Sequence, residues 1–167
     1  CGNKESCGSN APLRGRKQTT FEGGIRVPTI AYGKGYFENG LAESTPGIMC
    51  DWLPTFAAIT DFTLPEELKL NGTNLLALPP DAERDFFFYR FDQLNAIRSG
   101  AWKLKLANPD RARGEPMPHD TDLLFNLGAD PGEQQNLAGQ YPEKVAALKA
   151  KIAGFEASIA PLPPLQK

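Results

Sequence analysis

The side chains best suited to chemistry lie in one short loop near the start of the chain. Arg14, Arg16 and Lys17 crowd a turn marked by Gly15, and "QTTFEGG" follows directly. Cations beside a freely turning backbone could hold an anion, although a basic cluster next to glycines is also typical of a solvated surface turn. The residue types alone leave both interpretations open.

Few other side chains could take part in chemistry. His119 is the single histidine, and it could transfer a proton near neutral pH or simply lie exposed on its loop. Cys1, Cys7 and Cys50 form neither a CxxC pair nor a Cys/His spacing typical of zinc. Cys1 and Cys7 bracket a short polar loop and could pair, so the disulfide state stays open. These residues predict no metal or cofactor site in the chain.

Length and composition define the setting of these side chains. A chain of 167 residues suffices for one domain with a core, whereas two full domains are not expected. The shares of 41% hydrophobic and 23% charged residues are typical of a globular protein. A net charge of -2 gives no general attraction to nucleic acid, and no apolar stretch approaches the length that spans a bilayer. We therefore expect neither a nucleic-acid partner nor a membrane span.

Two unequal parts are expected to position the loop and the histidine. Residues 1–80 contain the basic loop and then Ile25–Tyr32, which is rich in β-branched and aromatic residues and predicts a strand. Pro28 favours an edge position or a bulge for that strand. Asp51 can cap a helix through "DWLPTFAAIT".

Residues 81–167 predict a small antiparallel sheet. The predicted strands are Phe86–Phe91, a hairpin over "NAIRSGAWKLKLA" that turns at Ser99-Gly100, and "DLLFNL". The polar stretch "PDRARGEPMPHD" is expected to stay irregular.

Two apolar stripes predict how this sheet is covered. In the second hairpin strand, Trp102, Leu104 and Leu106 alternate with Lys103 and Lys105, which predicts one buried face and one face in water. From Pro142, apolar residues recur at helical spacings: Val145, Leu148, Ile152, Phe155 and Ile159. A sheet with one helix packed across it follows, and the tail "PLPPLQK" is expected to be extended.

An ordered set of motifs resembles the type I sulfatases. "GSNAPLRGRKQTTFEGGIRVP" is similar to the segment that this family carries after its metal-binding Asp-Asn pair. The later matches follow in the family's order: "CDWLPTFAAIT", "NGTNLLALP" with Asn71 in place of an Asp, "NAIRSGAWKLKLA", and "DLLFNLGADPGEQQNLA". The resemblance covers nearly the whole chain, and it is closest to arylsulfatases and N-acetylgalactosamine-6-sulfatases.

The resemblance implies an α/β fold of the alkaline-phosphatase-like sulfatase type. Residues 1–80 would end its large α/β domain, and residues 81–167 would form a small subdomain of antiparallel sheet and C-terminal helix. Neither the family's C/S-x-P-x-R motif, which gives the formylglycine nucleophile, nor its Asp and Asn calcium ligands occur in this sequence. The resemblance therefore implies the C-terminal portion of a calcium-dependent sulfatase, with the N-terminal remainder as partner. The chain alone is expected to be inactive.

The resemblance also assigns roles to residues of the site. By position, Lys17 matches the family's lysine that contacts the substrate sulfate, so it is predicted to be catalytic and substrate-binding. His119 matches a histidine near the active-site mouth that could hydrogen-bond the sulfate or the leaving group, and Arg14 is predicted to bind substrate. Glu22 and Arg26 are expected to form a structural ion pair that holds the loop.

The family's substrates are sulfate esters, which here means aryl sulfates or sulfated saccharides such as glycosaminoglycans. The full-length protein would be periplasmic, secreted or lysosomal. The alternative is a non-catalytic module that binds sulfated carbohydrate or another subunit. A relative that acts on phosphate esters is a third possibility, which the Lys-Thr…Glu-Gly-Gly segment disfavours.

Overall fold

The computed structural model describes residues 8–37, 40–79, 82–108 and 117–159. The chain divides into two compact units, Cys1–Val27 with Arg84–Lys167, and Pro28–Glu83. The domain boundary predicted at Pro80 concerns a whole sulfatase, and it stays a prediction. Cys1, Cys7, most of the polar stretch "PDRARGEPMPHD" and the tail "PLPPLQK" lie outside the described residues.

A four-stranded antiparallel sheet forms the centre of the first unit, in the order β1-β2-β3-β4. The strands are β1 (Asp85–Arg90), β2 (Gln93–Ser99), β3 (Trp102–Lys105) and β4 (Leu123–Asn126). The small predicted sheet is confirmed. In the hairpin, Ser99 pairs with Trp102, so the turn lies at Gly100-Ala101, one residue later than expected. Gly100 has a φ of 56°, which favours glycine at this position.

Three helices accompany the strands in the described parts of the chain. They are α1 (Glu22–Ile25), α2 (Trp52–Ile59) and α3 (Pro142–Ser158), with short 3-10 turns at Met49–Asp51 and Leu75–Ala77. The helices predicted after Asp51 and from Pro142 are both present. No described helix has the length and the apolar character that crossing a membrane would require.

One face of the sheet packs against α3 through aliphatic side chains. The buried cluster joins sheet and helix residues: Leu94, Ile97, Leu104, Leu124, Leu148 and Ile152. Beside it, the Phe87 ring stacks on the Phe155 ring, with centroids 3.8 Å apart. The predicted stripe of α3 is therefore correct as far as Phe155. Ile159 follows the end of the helix and is exposed.

The other face of the sheet is also buried, contrary to the prediction of a face in water. Lys103 is 0% exposed and Lys105 is 1% exposed. Phe21 of the opening loop packs on this face against Phe125 and Leu127. Alternation along β3 correctly separated apolar from polar residues, but the loop that covers the polar side comes from a distant part of the sequence.

The strand predicted over Ile25–Tyr32 is wrong. Ile25 ends α1, and the following residues form no strand and are largely exposed, Ile30 at 95%. Among the described residues, every paired strand belongs to the sheet of the first unit, so this apolar run has no neighbour to complete its hydrogen bonds. Pro28 further removes one backbone donor.

The second unit is organised around Asp51, which precedes α2. Its carboxylate accepts the backbone N–H of Ile48 at 2.7 Å and that of Thr73 at 2.8 Å. Gly72 lies so close to this point that a Cβ atom there would meet the Cys50 carbonyl oxygen at 1.9 Å. The buried carboxylate thus holds the "NGTN" loop against the start of α2. Cys50 itself is an exposed free thiol.

Candidate functional site

Lys17 lies in a tight turn that runs from Arg16 to Thr19. The Thr19 backbone N–H donates to the Arg16 carbonyl oxygen at 3.0 Å, and the Thr19 hydroxyl donates to the same oxygen at 2.8 Å. Gln18 has a φ of 73°, as expected of the third residue of a type II turn. Thr19 is buried and Lys17 is exposed. The turn is therefore anchored at its base and presents the Lys17 side chain to solvent.

Long-range contacts fix both flanks of this turn. Arg90 of β1 donates its Nε hydrogen to the Gln18 carbonyl oxygen at 3.1 Å. The Arg14 guanidinium donates to the Glu133 carbonyl oxygen at 2.8 Å and lies over the Phe21 ring, 4.3 Å from its centroid. Arg14 thus makes its observed contacts with the protein itself.

The glycine pair of the "EGG" motif is required by close backbone packing. A Cβ atom on Gly23 would lie 2.6 Å from the Arg14 carbonyl oxygen. A Cβ atom on Gly24 would lie 2.2 Å from the Thr19 carbonyl oxygen. Both distances are too short for a side chain. The start of α1 is in this way pressed against the Lys17 turn.

A buried ion cluster holds α1 against the sheet. The Lys103 ammonium lies 2.8 Å from Glu22 Oε1 and 2.9 Å from Glu133 Oε1. The Glu22 backbone N–H donates to Glu133 Oε2 at 2.6 Å. Arg98 Nη1 lies 3.7 Å from Glu22 Oε2, so two cations face two carboxylates. The expected structural role of Glu22 is seen in these contacts, but its ion-pair partners are Lys103 and Arg98 rather than Arg26.

Burial shifts the pKa of two members of this cluster, Glu133 and Arg98. Removal from water raises the pKa of Glu133, an effect that the positive charge of Lys103 and the hydrogen bond from the Glu22 N–H only partly oppose. Burial likewise lowers the pKa of Arg98, against the attraction of Glu22. Carboxylates already engaged by Lys103 do not fit a calcium site. In the described ranges, no group of three or more His, Cys, Asp or Glu side chains could hold a metal ion.

Lys105 makes a second set of buried contacts beside the ion cluster. Its ammonium donates to the Thr20 hydroxyl at 2.7 Å and to the Asn95 side-chain oxygen at 2.8 Å. It also lies over the Phe21 ring, 4.6 Å from the centroid. Thr20 and Asn95 are hydrogen-bonded to each other. The sheet therefore contacts Thr20 and Phe21, the two loop residues that directly follow the Lys17 turn.

The sequence interpretation missed the roles of Lys103 and Lys105. A signal for the ion cluster was available, because its charged members belong to three separate motifs of the sulfatase resemblance: Glu22 in "TTFEGG", Arg98 and Lys103 in "NAIRSGAWK", and Glu133 in "DPGE". Two carboxylates and two cations carried by such motifs could have been paired. No comparable signal marked Lys105.

His119 approaches the same loop from the β3–β4 connection. Its backbone pairs with Asn108 in an isolated bridge, and its Nδ1 donates to the Thr121 carbonyl oxygen at 2.9 Å. The half-buried ring meets the Phe21 ring edge-on, with centroids 6.3 Å apart. The structure thus brings Arg14 and His119 to one aromatic ring, and Lys17 projects from the turn between Arg14 and Phe21.

A shallow cleft of about 290 Å³ opens beside the Lys17 turn. Its walls include Gln18 and Thr19 from the turn and Tyr89 and Phe91 from the end of β1. Tyr89 and Phe91 are exposed. The cleft next to Lys17 is therefore lined by aromatic side chains on one side and by the hydrogen-bonded Lys17 turn on the other.

Known proteins are similar to this chain in sequence and in fold. The model of a protein family described as the "C-terminal region of aryl-sulfatase" matches residues 81–167. N-acetylgalactosamine-6-sulfatase from Homo sapiens is 28% identical over 187 aligned residues, which cover 96% of this chain and 36% of that protein. Arylsulfatase A from Bos taurus is 32% identical over 167 residues, which cover 85% of this chain and 32% of that protein.

A solved structure agrees with these matches. The PsFucS1 sulfatase from Pseudoalteromonas sp. superposes with a TM-score of 0.64 at 27% identity, over 87% of this chain and 33% of that chain. The chain spans about a third of the length of the curated relatives that it matches. The family match extends over more than half of this chain. The chain therefore belongs to the family that forms the C-terminal region of aryl-sulfatases.

Proposed function

We propose that the protein carrying this chain hydrolyses sulfate esters, and that Lys17 supplies a cation to the sulfate group. The observation that carries this proposal is an exposed ammonium at the tip of a turn whose base is buried and hydrogen-bonded. A solvated surface lysine needs no such support. The nucleophile and the calcium ligands of the proposed enzyme lie outside this chain.

Lys17 would act on charge that develops during the reaction. Breaking a sulfate ester places negative charge on the sulfuryl oxygens and on the departing oxygen. A fixed cation next to those atoms lowers the barrier, because it needs no reorganisation when the charge appears. The lysine ammonium is compact and has three donors, which suits an oxygen of a small tetrahedral group.

His119 and Arg14 are proposed to assist Lys17. His119 is a candidate hydrogen-bond partner for the sulfate or the leaving group, supported by its half-buried place beside Phe21. Arg14 already donates one N–H to Glu133, so a contact with substrate would come from its remaining N–H groups. Its positive charge would also favour an anionic ligand near the loop.

The proposed substrates are aryl sulfates or sulfated saccharides, in keeping with the names of the relatives. The organic part of such an ester would lie against the aromatic wall of the cleft beside the turn. The N-terminal remainder of the sulfatase is the proposed partner, and the protein would act in the periplasm, in the lysosome or outside the cell.

The decisive test is Lys17→Ala in the full-length enzyme, assayed with a chromogenic aryl sulfate. Loss of one donor to a charge-bearing oxygen is expected to lower kcat by about 10²–10³-fold. The contact strengthens in the transition state, so kcat should fall more than KM rises.

Arg16→Ala is the matched control, because Arg16 is the exposed cation directly before Lys17. It should change kcat much less, since water and salt screen its charge. Melting temperatures of both variants should stay within a few degrees of the wild type. Near-normal kcat in Lys17→Ala would show that the loop is only a solvated turn. A full-length protein that binds sulfated sugar without hydrolysing any ester would instead support a binding module.

A further inference from the structure

We propose that Lys105 is a positioning residue that holds the Lys17 turn in its productive place. This inference rests on the proposed function of Lys17. Lys105 does not reach the substrate in this proposal. It acts through the backbone of the loop, from the buried face of the sheet.

The contacts of Lys105 span the junction between sheet and loop. Its ammonium is within hydrogen-bond distance of Thr20 on the loop and of Asn95 on β2, and it lies over the ring of Phe21. Thr20 and Phe21 come three and four residues after Lys17. One side chain therefore ties two consecutive loop residues to the strand next to its own.

The base of this side chain is rigid. Lys105 pairs with Ala96 on β2 and with Leu123 on β4, so its backbone is fixed on both sides. At 1% exposure its hydrogen bonds have little competition from water, and misplacing a partner is costly at this depth. A loop tied to such a point is restrained far more than a loop that only covers apolar surface.

The restraint passes to Lys17 through Thr19. Thr19 precedes Thr20, and its hydroxyl and N–H both donate to Arg16 and close the turn. A displacement of Thr20 would therefore move the residue that defines the turn. Catalysis by a fixed charge is sensitive to displacements of about 1 Å, which can cost about 10²-fold in rate.

The contacts of Lys105 that carry this proposal differ in charge from those of its neighbour Lys103. Removing the Lys103 ammonium would leave the buried carboxylates of Glu22 and Glu133 without their shared cation. The contacts of Lys105 with Thr20, Asn95 and Phe21 are to hydroxyl, amide and aromatic groups, which carry no charge. Thr20 and Asn95 can keep their own hydrogen bond when the ammonium is removed. Lys105→Met also keeps most of the side-chain volume.

The experiment is a double-mutant cycle between Lys105→Met and Lys17→Ala in the full-length enzyme. Lys105→Met alone should lower kcat by about 10- to 100-fold and change KM little, because the positioned charge is used in the transition state. In the Lys17→Ala background, the same substitution should change kcat by less than about twofold, because residues that act as a unit are not additive.

Lys151→Met on α3 is the matched control, because Lys151 is an exposed lysine paired with Asp85 and away from the loop. It should leave kcat within about twofold of the wild type in both backgrounds. If Lys105→Met does not give folded enzyme, Lys105→Gln takes its place in the cycle. Failure of both to fold would assign Lys105 to folding and overturn the positioning role.

The two proposals fail in different ways. Wild-type kcat in Lys105→Met, or equal losses with and without Lys17, would overturn the positioning role and leave the role of Lys17 intact. Wild-type kcat in Lys17→Ala would overturn the proposed role of Lys17 in hydrolysis, and the role of Lys105 would fall with it.

Discussion

The two faces of the small sheet are both buried, but they are held by different physics. On the face under α3, the buried cluster is aliphatic. Its stabilisation comes from apolar area removed from water, which does not depend on the direction of individual contacts. Under the opening loop, Lys103, Lys105 and Glu22 make hydrogen bonds whose partners and distances are specified. The first face supplies stability, and the second determines where one segment of backbone lies.

The difference explains why this fold would keep charged side chains in a buried place. Desolvation of two carboxylates and two cations costs free energy that their attraction barely repays. An apolar replacement could be as stable, but it would let the loop settle in several similar positions. Only the charged face fixes Glu22 to specific atoms of the sheet, on Lys103 and Arg98.

The largest expected effect is that of Lys103→Met on the charged face. The substitution leaves Glu22 and Glu133 buried without their shared cation, so it should lower the free energy of unfolding by about 3–5 kcal/mol. Urea denaturation of the variant and the wild type measures the loss. Adding Glu22→Gln and Glu133→Gln removes the uncompensated charges, and it should restore most of the stability. An unchanged urea midpoint in the single variant would mean that water reaches the cluster.

On the apolar face, Phe155→Ala should have a smaller effect on stability and none on catalysis. Phe155 is half-buried and stacked on Phe87, so we expect a loss of about 2–3 kcal/mol, below the roughly 3–5 for a fully buried Phe. Ile159→Ala, at an exposed position after α3, should stay within about 0.5 kcal/mol of the wild type. A lower kcat in the folded Phe155→Ala variant would contradict the claim that the apolar face contributes only to stability.

The smallest expected effect concerns an ion pair that is partly exposed. Asp122 accepts from Lys149 at 2.5 Å and from the Ala107 N–H at 2.9 Å. Partial burial acts to raise the pKa of Asp122, but these hydrogen bonds and the nearby positive charges outweigh it and lower the pKa below its ordinary 3.8. The carboxylate therefore stabilises the fold above that ordinary value, and the contribution is lost as the pH falls through the lowered pKa.

Asp122→Asn should accordingly cost about 0.2–1 kcal/mol at neutral pH, the usual value of an exposed pair. Urea denaturation as a function of pH should show the difference from the wild type disappearing in acid. Asp120→Asn, at an exposed position nearby, is the charge-matched control and should have less effect. A difference that persists in acid would mean that the carboxylate's charge is not what stabilises this corner.

The sequence predicted the apolar face better than the charged one. The spacing of Leu148, Ile152 and Phe155 predicted both the helix and its buried side, because amphipathic periodicity is a local signal. The burial of Lys103 could not be predicted from its strand, since the loop that covers it lies far away in the sequence. Periodicity also failed over Ile25–Tyr32, because a strand requires a partner that local composition does not supply.

The sequence selected candidate site residues but not the contacts that hold them in place. The resemblance selected Lys17 and His119, and the structure places them in and beside one loop, but their roles stay predictions. What the resemblance did not provide was the support, the set of contacts from β1, β3 and Glu133. Those depend on tertiary register, which no single motif contains.

The contacts of the opening loop also have a consequence for the order in which the protein folds. They join residues 72 to 119 positions apart, from the Arg90–Gln18 bond to the Arg14–Glu133 bond, whereas the sheet grows from neighbouring hairpins. Contacts across long stretches of chain carry a larger entropic cost of loop closure and form late. On the ribosome, the segment that carries Lys17 is synthesised before Glu133, and its contact with Glu133 cannot form until Glu133 has emerged. The opening loop thereby reaches its final position only when the rest of the unit is complete.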